Sequence, residues 1–150
     1  MTNLPNRVGP STTNYSVQEL RYNLLQSCSW LNNEVRRLLS PYEITPKQYS
    51  ILRNLAATSP RSASIQEVRN GLADQMSDAS RLIDRLVKKG YLEKFPSDLD
   101  RRSNRVRISN AGLDIIKQIN ARRDDFERLV SDRLTMKQIA ELNRLLALLK

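Results

Sequence analysis

The hydrophobic period of the chain changes once, and the change falls inside its most basic stretch. In "SDASRLIDRLVKKG", residues 77–90, Ala79, Leu82, Ile83 and Leu86 recur at the steps that place side chains on one helix face. Lys88 and Lys89 sit in the last turn, where cations suit the helix dipole, and Gly90 supplies the terminator. Immediately afterwards "YLEKF" alternates with period two, "PSDLDRRSN" is turn-like, and "RVRIS" alternates again. The pattern predicts a helix running into a β-hairpin with a long tip.

What precedes the hairpin is helical. Ser16 and Glu19 have the spacing of a capping box, and Val17, Leu20, Leu24, Cys28, Leu31, Val35 and Leu38 carry a helical stripe to Ser40, where Pro41 ends it. Thr45 and Pro46 open a second helix with Tyr49, Leu52 and Leu55 or Ala56 inward, which makes Gln48 and Tyr49 cap and core residues. Ser64 and Glu67 open a short third helix that ends near Gly71. The helix described first is expected to begin near Gln75, so two short helices lie together across a tight turn. Beyond the hairpin, Ser109 caps "AGLDIIKQINARRDDFERLV", read as one helix with Ile115, Ile119, Phe126, Leu129 and Val130 on a stripe. A last helix starts around Thr135 and carries Ile139, Leu142, Leu145, Leu146 and Leu149. The expectation is a mainly α chain of about six helices and one hairpin, with residues 1–15 a flexible arm and 16–150 one domain.

Charge narrows the function. Residues 81–107 hold nine basic and four acidic side chains, which places +5 of the net +9 in less than a fifth of the chain. Such concentration calls for an anionic partner, with nucleic acid ahead of a membrane surface. There is one cysteine, Cys28, and no histidine, so no intramolecular disulfide forms and the familiar zinc and acid–base constellations lack their ligands. No metal, no cofactor and no enzymatic activity are expected. No apolar run approaches the roughly 20 residues of a membrane span, and the opening residues lack a signal-peptide core. A cytoplasmic protein with no membrane partner is expected.

Three helices followed by a hairpin is the layout of a winged helix-turn-helix domain, whose second helix of the tight pair enters the DNA major groove. Residues 45–109 then form the DNA-binding part. The flanking helices, 16–40 and 110–150, carry apolar stripes that need a partner: a second copy in a two-fold dimer, or each other in an intrachain bundle. Two copies would place half-sites about 34–36 Å apart, on an inverted repeat. At the start of the recognition helix, Gln75 suits adenine, Arg81 guanine, and Asp78 a cytosine amino group. Asp78 pairing with Arg81 is the favoured alternative. Ser77 joins them on the polar face, and Ser80 is either a phosphate contact or a plain surface serine. The helical spacing of Cys28 makes it a core or dimer-interface residue.

The stretch "SRLIDRLVKKGYLEKFPSDLDRRSNRVRISNAG" resembles the MarR family of bacterial transcriptional regulators. Ser80–Leu86 match the family's helix, Lys89-Gly90 its turn, Asp100 and Arg102 its Asp-x-Arg wing, and Ile108, Ser109 and Gly112 its close. "ITPKQYSILRNL" resembles a further family helix, and the likeness runs from about residue 16 to 150. The resemblance implies a homodimer with interlocked terminal helices, and a wing in which Arg102 enters the minor groove while Asp100 holds it. It further implies Arg101 and Arg105 on phosphates, a solvated tip being the alternative for either, and Asp84 pairing with a basic wing residue; Arg85 is assigned to phosphate, and ordinary solvent-face charges are the alternative for Asp84 and Arg85. A dimeric, sequence-specific regulator follows, a repressor released by a small-molecule effector. Tyr22, Leu25 and Trp30 either line the effector cleft or pack an interface. A non-sequence-specific architectural DNA-binding protein, a redox-sensing regulator using Cys28, and a winged protein–protein adaptor stay open as alternatives.

Overall fold

Four helices begin with the same reciprocal cap. In each, a Ser or Thr oxygen accepts the backbone N–H three residues on, and a Glu or Gln there accepts the cap's own N–H, satisfying two donors that the helix cannot. The pairs are Ser16/Glu19, Thr45/Gln48, Ser64/Glu67 and Thr135/Gln138. They open α1 (Val17–Leu39), α2 (Pro46–Ala57), α3 (Ile65–Asn70) and α7 (Met136–Ala147). Between them lie α4 (Ala79–Lys88), α5 (Asn110–Asn120), α6 (Arg123–Ser131) and the strands β1 (Ser62–Ser64), β2 (Leu92–Pro96) and β3 (Asn104–Ile108). These come from a computed structural model that describes residues 16–58, 61–97 and 104–149.

The wing is a three-stranded antiparallel sheet in the order β1-β3-β2, so the expected hairpin of β2 and β3 gains a third strand. Ala63 and Lys94 flank Val106 in register, and Leu92 pairs with Ile108. The pleat sends Leu92, Val106 and Ile108 into the core, where they meet Ile51, Leu52 and Leu55 of α2, Val68 of α3, and Ile83 and Leu86 of α4. Ile115, Ile116 and Ile119 of α5 close this core from the other side. Fully burying an aliphatic side chain contributes roughly 1.5–3 kcal/mol, so the cluster fixes α4 against the sheet.

The passage from α4 into the wing is tight. Gly90 takes a left-handed φ of 77°, and the N–H groups of Gly90 and Tyr91 close onto the carbonyls of Val87 and Leu86, both at 2.9 Å. Ser109 Oγ donates to the Gly90 carbonyl at 2.6 Å and accepts the Gly112 N–H at 3.1 Å. The first turn of α5 therefore rests on the start of β2. A Cβ on Gly112 would lie 2.3 Å from the Tyr91 carbonyl oxygen and 2.7 Å from Cγ1 of Ile108, which only glycine avoids.

Two expectations change. The helix expected over 110–130 breaks at Arg122 (φ −105°, ψ 23°), where an Arg122–Asp125 ion pair of 2.9 Å fixes the corner. The break lets α5 pack on α2 while α6 packs on α1. The recognition helix begins at Ala79 rather than near Gln75. The stripe of α1 is largely uncovered. Leu39 is its only buried residue, whereas Val17, Leu20, Leu25 and Leu31 are exposed. Cys28 is also exposed, so it is no core residue of the single chain. The last helix, α7, buries no residue and leaves Leu142, Leu145 and Leu148 in water.

Candidate nucleic-acid interface

Asp74 builds the turn ahead of α4. Its backbone carbonyl accepts the Ser77 N–H at 3.2 Å, and its carboxylate accepts the Met76 N–H at 3.1 Å and the Ser77 hydroxyl at 3.0 Å. Lys47, in the first turn of α2, reaches the same carboxylate with Nζ at 2.7 Å. The Lys47 ammonium and the Ser77 hydroxyl hold the Asp74 carboxyl below the usual aspartate range. Gln75 and Met76 thus form the exposed tip of a pinned turn, outside the helix. Ser77, expected to read bases, is buried, and its hydroxyl donates to Asp74.

Asp78 is the N-cap of α4, accepting the Arg81 N–H at 3.1 Å, and its other oxygen lies 3.3 Å from Arg81 Nε. That arrangement is the pairing favoured from the sequence. Both side chains are more than half exposed, so the pair is weak, at most about 1 kcal/mol. Arg81 and Arg85 follow on the outer face of α4, with Ser80 half-buried beside them. Lys47, Ser77, Asp78, Arg81, Leu82 and Arg85 line one shallow concavity of about 200 Å³. Among the described residues Arg85 makes no ion pair.

The wing is tied to the recognition helix. Lys94 of β2 forms an ion pair with Asp84 of α4, the contact that the resemblance implied for Asp84. On the outer face of the sheet, Arg107 bridges to Glu93 at 2.7 Å and lies 5.4 Å from the centre of the Phe95 ring. Arg105 is turned back toward α3, with Nη1 3.6 Å from Glu67 and Nη2 3.5 Å from the Ser62 carbonyl. Glu67 is held below the usual glutamate range, first by the Ser64 backbone N–H it accepts and only weakly by Arg105. Asp100, Arg101 and Arg102 lie outside the described residues.

Elsewhere, Gln48 is buried in its capping box and Tyr49 stacks on Phe126 with ring centres 6.1 Å apart, cap and core as expected. Trp30 carries the Arg133 guanidinium 4.7 Å from its ring centre, Tyr22 accepts from Gln26 at 2.8 Å, and Leu25 is exposed. Sequence reasoning missed Lys47 and Lys94. The Thr45-Pro46 start does put Lys47 in a first turn, but its partner is 27 residues away, a distance that no local pattern encodes.

A sequence model of the MarR family matches residues 42–103, from just before α2 to just before β3. That span is less than half of the chain, and over it the chain resembles the MarR family. It is 28% identical over 109 residues to the multiple antibiotic resistance protein MarR of Escherichia coli, spanning 72% of this chain and 74% of that one. A cysteine-to-serine variant of the E. coli MarR, solved with operator DNA, superimposes with a TM-score of 0.79 at 24% identity, over 87% of this chain and 92% of its own. A MarR family regulator from Streptomyces coelicolor, solved with DNA, gives 0.79 at 19% identity, over 94% and 91%. At those identities the superpositions establish the MarR winged fold. PecS of Dickeya dadantii, an HTH-type transcriptional regulator, is 23% identical over 117 residues, spanning 77% of this chain and 70% of that one. The matched span contains the Asp74 turn, α4 and the Asp84–Lys94 tie, the parts with the most cationic surface.

Proposed function

We propose that the chain is a homodimeric, sequence-specific regulator that binds duplex DNA at an inverted-repeat operator. The observation that carries this reading is the gathering of Lys47 of α2 with Arg81 and Arg85 of α4 around one open concavity, beside a wing fixed to α4 by Asp84 and Lys94. MarR-fold neighbours solved with DNA lend it support. Gln75 and Arg81 read base edges, each good bidentate contact discriminating by about 1–3 kcal/mol. Lys47, Ser80 and Arg85 hold phosphates, and Asp78 aims Arg81. In the wing, Arg102 enters the minor groove against Asp100, where a planar guanidinium suits both the carboxylate and the narrow groove. Arg101 and Arg105 take flanking phosphates, Arg105 by leaving Glu67. The uncovered apolar stripes of α1 and α7 support the two-fold pairing that sets the distance between recognition helices. Repression ends when an effector binds more tightly to a spacing that the operator does not fit.

Selection of bound sequences from random duplex DNA, at a stated salt concentration, tests the proposal. An inverted-repeat consensus supports it. Uniform recovery with a steep salt dependence, close to −0.9 in log–log slope for each phosphate neutralised, replaces it with an architectural DNA-binding role.

A further inference from the structure

Met76 is 95% exposed, more than any other large apolar side chain among the described residues, and its backbone sits in a hydrogen-bonded turn. The Met76 N–H donates to Asp74, whose carboxylate is also held by Ser77 and Lys47, so the tip of the turn is displayed at a set height ahead of α4. Lys47 and Arg81 line the shallow concavity that begins at the next residue, Ser77. A thioether is the wrong side chain for a phosphate. It matches the one apolar group on the floor of the major groove, the C5 methyl of thymine. A flexible, polarisable methionine adapts to such a methyl without requiring one fixed rotamer. The neighbour at the tip is Gln75, which suits the adenine edge, and adenine N6 and N7 share the major-groove edge of the base pair with the thymine methyl.

We infer that Met76 reads the methyl group of a thymine in the major groove, so that the tip Gln75-Met76 selects an A·T pair in each half-site. This rests on the DNA-binding reading above and adds a specificity determinant to it. Burying one methyl group against the thioether strengthens binding about fourfold.

The test uses the full chain and the duplex recovered by selection, with single thymines replaced by deoxyuridine, which removes the methyl and keeps the pairing. The expected result is one position per half-site where deoxyuridine weakens binding about fourfold, with Met76→Ala abolishing that difference and Met76→Leu restoring it. Because the side chain is exposed, Met76→Ala leaves the fold intact, which circular dichroism checks. The inference is overturned if no thymine shows the effect, or if Met76→Ala keeps the same thymine-to-deoxyuridine ratio as the parent. Absence of any duplex binding by the parent chain would instead remove the DNA-binding reading and this inference with it.

Discussion

Replacing Gly112 by Ala separates packing from helix propensity. Propensity favours the change, because alanine in a helix is worth roughly 1 kcal/mol over glycine. Geometry opposes it. The new Cβ would stand 2.3 Å from the Tyr91 carbonyl oxygen, a backbone atom that also accepts the Ser109 N–H at 3.0 Å. Tyr91 follows the left-handed Gly90, so it has little room to withdraw, and Ile108 Cγ1 blocks the other direction at 2.7 Å. The first turn of α5 must therefore lift off the sheet, and overpacking of this kind costs about 1–3 kcal/mol. Set against the propensity gain, the variant is expected to be less stable by up to about 2 kcal/mol. Urea unfolding followed by circular dichroism, at one fixed chain concentration so that association does not shift the midpoint, measures it. Gly71→Ala is the control. Its new Cβ meets the side-chain amide of Asn54 at 3.3 Å and the carbonyl oxygens of Glu67 and Val68 at an ordinary 3.6 Å, in a right-handed conformation, so its midpoint should move by less than about 0.5 kcal/mol. A Gly112→Ala midpoint equal to or above that of the parent would refute the close-approach argument.

Three further outcomes are expected. Leu145→Glu, on the uncovered face of α7, should convert the proposed dimer to monomer in sedimentation velocity while helical content holds; unchanged sedimentation would place the interface elsewhere. Arg102→Ala should weaken operator binding by about tenfold or more with fold and dimer intact, and unchanged affinity in a titration would sink the minor-groove assignment. The Asp74 carboxyl should titrate below the ordinary aspartate range by NMR, and Lys47→Met should move its midpoint back up. Because the folded-state value is lowered, the turn's contribution to stability is present above the ordinary aspartate range and is lost as pH falls through the lowered value.

The local chemistry of the chain was readable where neighbours in sequence settle the structure. The Ser16, Thr45 and Ser64 caps need a partner only three residues away, and each forms. Hidden features depend on distant residues. β1 has three residues and no alternation to announce it; it becomes a strand because β3 offers an edge more than forty residues later. The start of α4 was displaced because Gln75 and Met76 continue a helical-looking composition, whereas Asp74 closes a turn through Lys47. Asp78, a strong N-cap type, was the local sign of the true boundary. The apolar spacing of Ile119 and Phe126 carries across the bend at Arg122 and so hides it; α5 packs mainly on α2 and α6 on α1, although Phe126 still reaches Tyr49 of α2. The site was partly legible for a similar reason. The charges of α4 lie within one helix, but the lysines that join it come from α2 and β2.

Asp78 has a consequence for how such a protein finds its target. An acid fixed among cations repels every phosphate, matched or unmatched. In the free chain Arg81 neutralises it. On the proposed reading, drawing Arg81 onto a base uncovers that acid, and only a strong guanine contact offsets the exposure. Unmatched DNA gives no such return and is released sooner. With roughly 10⁶–10⁹ competing sites in a genome, occupancy of the operator then depends as much on quick departure from the wrong sequence as on tight binding to the right one.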